Sequence, residues 1–130
     1  MKTPFFLLSF LFVLAGCGLK QSTEEATRVA NKFNEHLKSH EFDALFEMLD
    51  DSIMQQHSKE DITAAFELVH SFGKIKSIKK GMKFNTNINN NVTSVELNYT
   101  INCEKRTFNE KLILIKTGDE PFKVSGYHVE

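Results

Sequence analysis

Val95-Glu96-Leu97-Asn98-Tyr99-Thr100-Ile101-Asn102-Cys103 alternates apolar and polar residues without a break, the period of a strand with one buried and one wet face. The flanking stretches keep that period. Upstream, Ile78, Met82 and Phe84 share one parity, Gly81 marks a bulge, and Asn89-Asn90 supplies the positive φ of a tight hairpin turn. Downstream, the charged turn Glu104-Lys105-Arg106 leads into residues 108–116. There Leu112-Ile113-Leu114-Ile115 is apolar on both parities, which predicts a central strand covered on both sides. Thr117-Gly118-Asp119-Glu120-Pro121 turns the chain into a last strand over 122–129, with Gly126 as a second bulge. Before residue 74 the period is 3.6. Ala26, Val29, Ala30, Phe33 and Leu37 predict an amphipathic helix entered through a capping box, Ser22 with Glu25. Phe42, Leu45, Phe46 and Leu49 predict a second, shorter helix ending at Asp50-Asp51. Ser58 caps a third, with Ile62, Ala65, Phe66, Val69 and Phe72 facing inward and Gly73 at its end. Three helices followed by a four-stranded antiparallel meander make an α+β fold.

The length of 130 residues allows one domain, and 16 Lys+Arg against 17 Asp+Glu leave a net charge of −1, without the electrostatic footprint of a nucleic-acid binder. The basic residues are uneven: Lys74, Lys76, Lys79, Lys80 and Lys83 fall together on both strand parities. Such a run could meet an anionic surface, and an edge strand protected by lysines explains it equally well.

The first residues are set apart. Met1-Lys2-Thr3-Pro4, an uncharged apolar run over 5–14, and Ala15-Gly16-Cys17 have the three parts of a secretory signal peptide. The run is short for a membrane crossing, which needs about 20 apolar residues. Leu14-Ala15-Gly16-Cys17 resembles the bacterial lipobox. The resemblance implies cleavage before Cys17, a thioether-linked diacylglycerol on its sulfur and, in many bacteria, an amide-linked acyl chain on its amino group, with no other cofactor. It divides the chain into a signal peptide (1–16), a lipidated polar tether (17–23) and a single α+β domain (24–130). Gly18 stands where an Asp would retain an enterobacterial lipoprotein in the inner membrane. The expected place is therefore the outer membrane facing the periplasm, or the outer face of the cell membrane in a cell with only one. With Cys17 lipidated, Cys103 is the single free thiol, so no intrachain disulfide can form and core packing must hold the domain.

A second resemblance lies in Phe42-Asp43-Ala44-Leu45-Phe46-Glu47-Met48-Leu49, the Ser58-Lys59-Glu60-Asp61 cap, Phe72-Gly73-Lys74-Ile75-Lys76-Ser77-Ile78 and Phe122-Lys123-Val124-Ser125-Gly126-Tyr127-His128-Val129. These resemble small secreted lipoproteins of the nuclear-transport-factor-2-like group of cystatin-like folds. The resemblance implies a sheet curled as a cone around the first helix, a pocket between them in many members, and homodimers formed through the sheet.

Candidate chemistry is sparse. His36 and His40 stand four apart on the first helix but lack the further ligands of a metal site, and capping of the helix end is the plainer role. Glu110 shares its parity with Phe108, Leu112 and Leu114. It is either a general base facing the cone or, the plainer expectation, a carboxylate near the strand's wet end outside the core. Tyr99, His70, Tyr127 and His128 are the other residues placed to line a pocket. Cys103 has the buried parity of its strand and the character of an inert small hydrophobe. The chain has no Gly-rich phosphate loop, Ser/His/Asp set or CxxC pair. These features predict a lipid-anchored, non-catalytic domain that binds a small ligand or an envelope protein. The alternative is a small pocket enzyme with the acid–base chemistry of isomerases or dehydratases.

Overall fold

In a computed structural model, the backbone is described from Lys2 to Glu130 and the side chains from Gly18 onward. The lipobox-like Leu14-Ala15-Gly16-Cys17 therefore lies outside the residues whose side chains are described. The elements run α1 (Lys2–Lys38), α2 (Phe42–Glu47), α3 (Asp51–Gln56), α4 (Lys59–His70), β1 (Ile75–Asn89), β2 (Val92–Cys103), β3 (Thr107–Thr117) and β4 (Lys123–Val129). The strands form one antiparallel sheet in the order β1-β2-β3-β4, with α1 across one face. Helices followed by an antiparallel meander is the expected class.

The helical region departs from expectation in three places. Residues 18–23 belong to α1, so Ser22 caps nothing: the preceding turn already supplies carbonyl partners for the amides a capping box would satisfy. The second helix stops at Glu47, because Leu49 leaves it to form a parallel bridge with Val124; Val124 N–H donates to Met48 O (2.8 Å) and Asp50 N–H to Val124 O (2.7 Å). A fourth helix, α3, then begins, because the Asp50 carboxylate accepts from the Ser52 amide at 3.1 Å. The Ser58 cap holds as expected, its hydroxyl accepting from Asp61 N–H at 3.1 Å. Gly73, at φ +90°, ends the α4 segment in a conformation that favours a residue without a Cβ.

In the sheet, Gly81 lies where the register shifts between Lys80 and Phe84, and Gly126 where it shifts opposite Ile113 and Leu114, so both expected bulges form. At Gly126 a Cβ would stand 3.0 Å from Ile113 Cδ1, so the close approach of β3 and β4 requires glycine. The hairpin turn is one residue later than expected: Asn90 and Asn91 carry the positive φ (50° and 66°), while Asn89 still pairs with Val92. β3 is central, but only one face is covered. Leu112 and Leu114 are fully buried, while Ile113 and Ile115 are half-buried on a face over which no helix lies among the described residues.

One core unites these layers. Ala26, Ala30, Phe33 and Leu37 of α1 meet Val95, Leu97 and Ile101 of β2 and Phe108, Leu112 and Leu114 of β3. Phe66 from α4 is its aromatic hub. Its ring centroid lies 5.8 Å from Phe42 and Tyr127, 6.0 Å from Phe46 and 6.1 Å from Phe33. The half of α1 nearer Cys17 is fixed to the sheet by polar contacts: Lys116 pairs with Glu25 at 3.2 Å, and the hydroxyls of Thr23 and Thr86 share a hydrogen bond at 2.7 Å.

Candidate functional site

Glu110 faces the core. The β2–β3 register sets it opposite Tyr99, and the β3–β4 register sets it opposite Val129, two residues along β4 from Tyr127. Asn34 of α1 closes over the carboxyl. Glu110 is 1% exposed and Asn34 2% exposed, so the expectation of a carboxylate at the strand's wet end is overturned. The period of β3 decides this: Glu110 keeps the parity of Phe108 and Leu112 deep into the paired region, leaving no route for its side chain to water.

The group is unusual in what it lacks. Both Glu110 oxygens, both polar atoms of the Asn34 amide and Tyr127 Oη are sealed from solvent without a hydrogen-bond partner of regular geometry. Asn34 and Tyr127 nevertheless face the carboxyl closely enough to act on it electrostatically. Each unsatisfied buried polar group costs about 1–3 kcal/mol. Glu110 takes part in none of the ion pairs among the described residues. Burial pushes its carboxyl up to about 8, against the weaker opposite pull of Asn34 and Tyr127. At neutral pH it is a protonated acid, able to donate as well as accept. Burial, then the charge that Glu110 would carry, pushes the Tyr99 hydroxyl up to about 12, and the same causes in the same order raise Tyr127. Tyr99 does find a partner, donating to Asn31 Oδ1 at 3.2 Å.

Tyr127 also belongs to a second feature. A cleft of about 300 Å³ opens between α3, α4 and the outer part of β4. Its apolar wall includes Ile53, Ile62, Ala65, Phe66 and Tyr127, and Gln56, His57, Asp61 and His128 add polar groups. Tyr127 lines part of the cleft while its hydroxyl is held in the core beside Glu110. A half-apolar cleft with a few polar side chains is the usual form of a small-molecule site.

The structure thus brings three of the expected pocket residues together: Tyr99, Glu110 and Tyr127. His70 lies apart. Its ring packs against His40 and Phe42 where the ends of α1 and α4 meet, with the Phe42 centroid 5.6 Å away. Burial lowers its pKa, as does the neighbouring His40, while the Leu37 carbonyl acts in the opposite direction. His36 pairs with Glu41 at 3.1 Å just beyond the helix end. Among the described residues no group of three or more His, Cys, Asp or Glu gathers that could hold a metal ion. Cys103 is buried, and its burial raises the thiol pKa, which leaves it protonated and a poor nucleophile.

The chain matches no protein-family model and no curated protein.

Asn34 is one residue that sequence reasoning missed. A signal was there: it stands four after Ala30 and three before Leu37, a polar side chain at apolar-stripe spacing. Gln56 and His57 were missed as wall residues because they belong to the end of α3, a helix that the hydrophobic pattern did not predict; Asp61 was legible only as a first-turn residue of α4.

Proposed function

We propose that this chain is a lipid-anchored bacterial envelope protein with a nuclear-transport-factor-2-like domain that binds a small, partly apolar molecule without transforming it. The cleft carries the binding reading: its apolar wall ends at Tyr127, behind which a neutral carboxyl is sealed from solvent. A sealed acid suits a binding wall better than a reacting centre. The lipobox-like Leu14-Ala15-Gly16-Cys17 carries the anchor reading. With Gly18 in place of a retaining Asp, the reading favours the outer membrane facing the periplasm, or the outer face in a cell with a single membrane. Two acyl chains hold a protein stably where one does not.

Both parts are open to test. Cys17→Ser is expected to abolish incorporation of labelled fatty acid and leave the unprocessed precursor; continued labelling would contradict the anchor. For the cleft, an anilinonaphthalene sulfonate dye serves as the probe. Ala65 is an exposed residue of the cleft wall, so Ala65→Trp fills the space without disturbing the core. Dye affinity is expected to fall at least about tenfold, or roughly 1.4 kcal/mol. Unchanged affinity would move ligand binding elsewhere.

One observation favours a second reading, acid–base chemistry. Glu110 is a protonated acid beside Tyr127, and Tyr127 touches the cleft. That chemistry requires Tyr127 to swing aside so that a ligand can reach the carboxyl.

A further inference from the structure

The β1 strand differs from the rest of the domain. It carries Lys76, Lys79, Lys80 and Lys83 and no acidic residue, in a chain whose net charge is −1. Its register shows which side chains share the face beneath α1. Phe84, Thr86 and Ile88 pair with Leu97, Val95 and Thr93, all three buried. Phe84 and Ile88 are nevertheless 58% and 52% exposed, and Met82 in the adjoining bulge is 96% exposed. The apolar row of the sheet thus continues beyond the flank of α1 into solvent.

The start of the described helix meets that row. The Thr23 hydroxyl donates to Leu19 O at 3.0 Å and shares its hydrogen bond with Thr86, which stands between Phe84 and Ile88 on the strand. Leu19, one helical turn before Thr23, is 44% exposed. Lys80 Nζ donates to Thr27 Oγ1 at 3.2 Å and sits 6.0 Å from the Phe84 ring centroid, so cations border the apolar row. Glu24 is the acidic neighbour in the shallow depression beside Lys80, and Arg28 in the same depression offsets it.

We propose that the exposed part of β1, together with Leu19, rests on an anionic phospholipid bilayer, with Met82, Phe84 and Ile88 entering the headgroup–acyl boundary and Lys80, on the same sheet face as Phe84, meeting phosphates. Two observations select a bilayer as the occupant. The surface joins protruding apolar side chains to a strand of one charge sign, the pairing that suits an interface of hydrocarbon and phosphate. It is also continuous with the anchor: Leu19 is two residues from Cys17, so a lipid on that sulfur holds this end of the domain at the membrane. The inference rests on the anchor reading for its orientation, and its chemistry stands on β1.

The chain has no tryptophan, so Phe84→Trp adds a single fluorophore at an exposed position. The mature protein is reconstituted into vesicles of phosphatidylethanolamine and phosphatidylglycerol with or without brominated acyl chains, and its acylation is read by mass in the same sample. Bromine is expected to quench the Phe84→Trp variant at least twofold. Leu68→Trp, on the exposed side of α4, is expected to be unaffected. Lys80→Glu, on the same sheet face as Phe84, is expected to reduce the quenching. Acylated protein whose Phe84→Trp emission ignores bromine would overturn the inference and leave the anchor standing. Emission that is blue-shifted yet unquenched by bromine would place a protein on this face and likewise overturn it. If mass shows no acyl group, the anchor reading fails, and the unacylated variant is mixed with the same vesicles. Quenching that grows with phosphatidylglycerol content then sustains the inference, and its absence overturns it.

Discussion

Raising the pH from about 5 to 8 is expected to destabilise this domain steadily, and Glu110→Gln is expected to remove that dependence. In the fold the carboxyl is held protonated up to about 8 by burial, whereas in the unfolded chain it ionises near the ordinary value of 4.5. Between those values the folded state binds more protons than the unfolded state, so stability falls as pH rises. The contribution is complete below 4.5 and lost once the pH has passed through the folded value. The slope is at most about 1.4 kcal/mol per pH unit. Summed over the window this approaches roughly 5 kcal/mol, against about 5–15 kcal/mol for the whole stability of a typical domain. Gln keeps the shape of the neutral acid and cannot ionise. Urea unfolding followed by circular dichroism from pH 4.5 to 9 should show wild type and variant similar at the acid end and diverging above it. Parallel curves would mean that the carboxyl reaches water. The same variant sorts the two functional readings: dye binding in the cleft should survive it, whereas acid–base turnover would not.

Phe66→Ala should cost about 3–5 kcal/mol, the range for emptying a buried aromatic site. Phe66 touches Phe33 of α1, Phe42 and Phe46 of α2, and Tyr127 of β4, so its ring joins α1, α2 and its own α4 to the sheet. Removing it leaves each of those rings without a partner on one side. The check is the shift in urea midpoint at fixed pH, with Phe66→Leu expected to lose less. A loss below about 1 kcal/mol would show that the surrounding rings collapse into the space and that the hub is not tightly packed.

The parts legible in the sequence were those with a repeating physical cause. Alternation from Val95 to Cys103 gave the strand at the centre of the sheet, and the Ala26–Leu37 stripe gave the face of α1 that packs on it. Ser58, Gly73, Gly81 and Gly126 were legible because each answers a local backbone requirement. The remainder depended on partners far along the chain. Leu49 leaves its helix only because Val124, which no local pattern near residue 49 announces, offers a bridge. Ile113 and Ile115 suggested cover on a face that the fold leaves half open, since apolar residues on both parities do not reveal how many layers are present. Glu110 had the right parity for the core, while its place near the strand's wet end pointed the other way, in keeping with the general rule against burying lone carboxylates. The protein breaks that rule by keeping the group neutral.

The bridge at Val124 has a consequence for assembly. The segment from Met48 to Asp50 takes both backbone hydrogen-bonding groups of Val124, and α3 packs against the same strand, so β4 is a poor template for a new neighbour. β1, at the other border, keeps its outward backbone groups. Among the described residues the sheet thus favours partners along one border, which works against lengthening into a fibre: if two copies join strand to strand through β1, each covers the other's open border and growth ends at a pair.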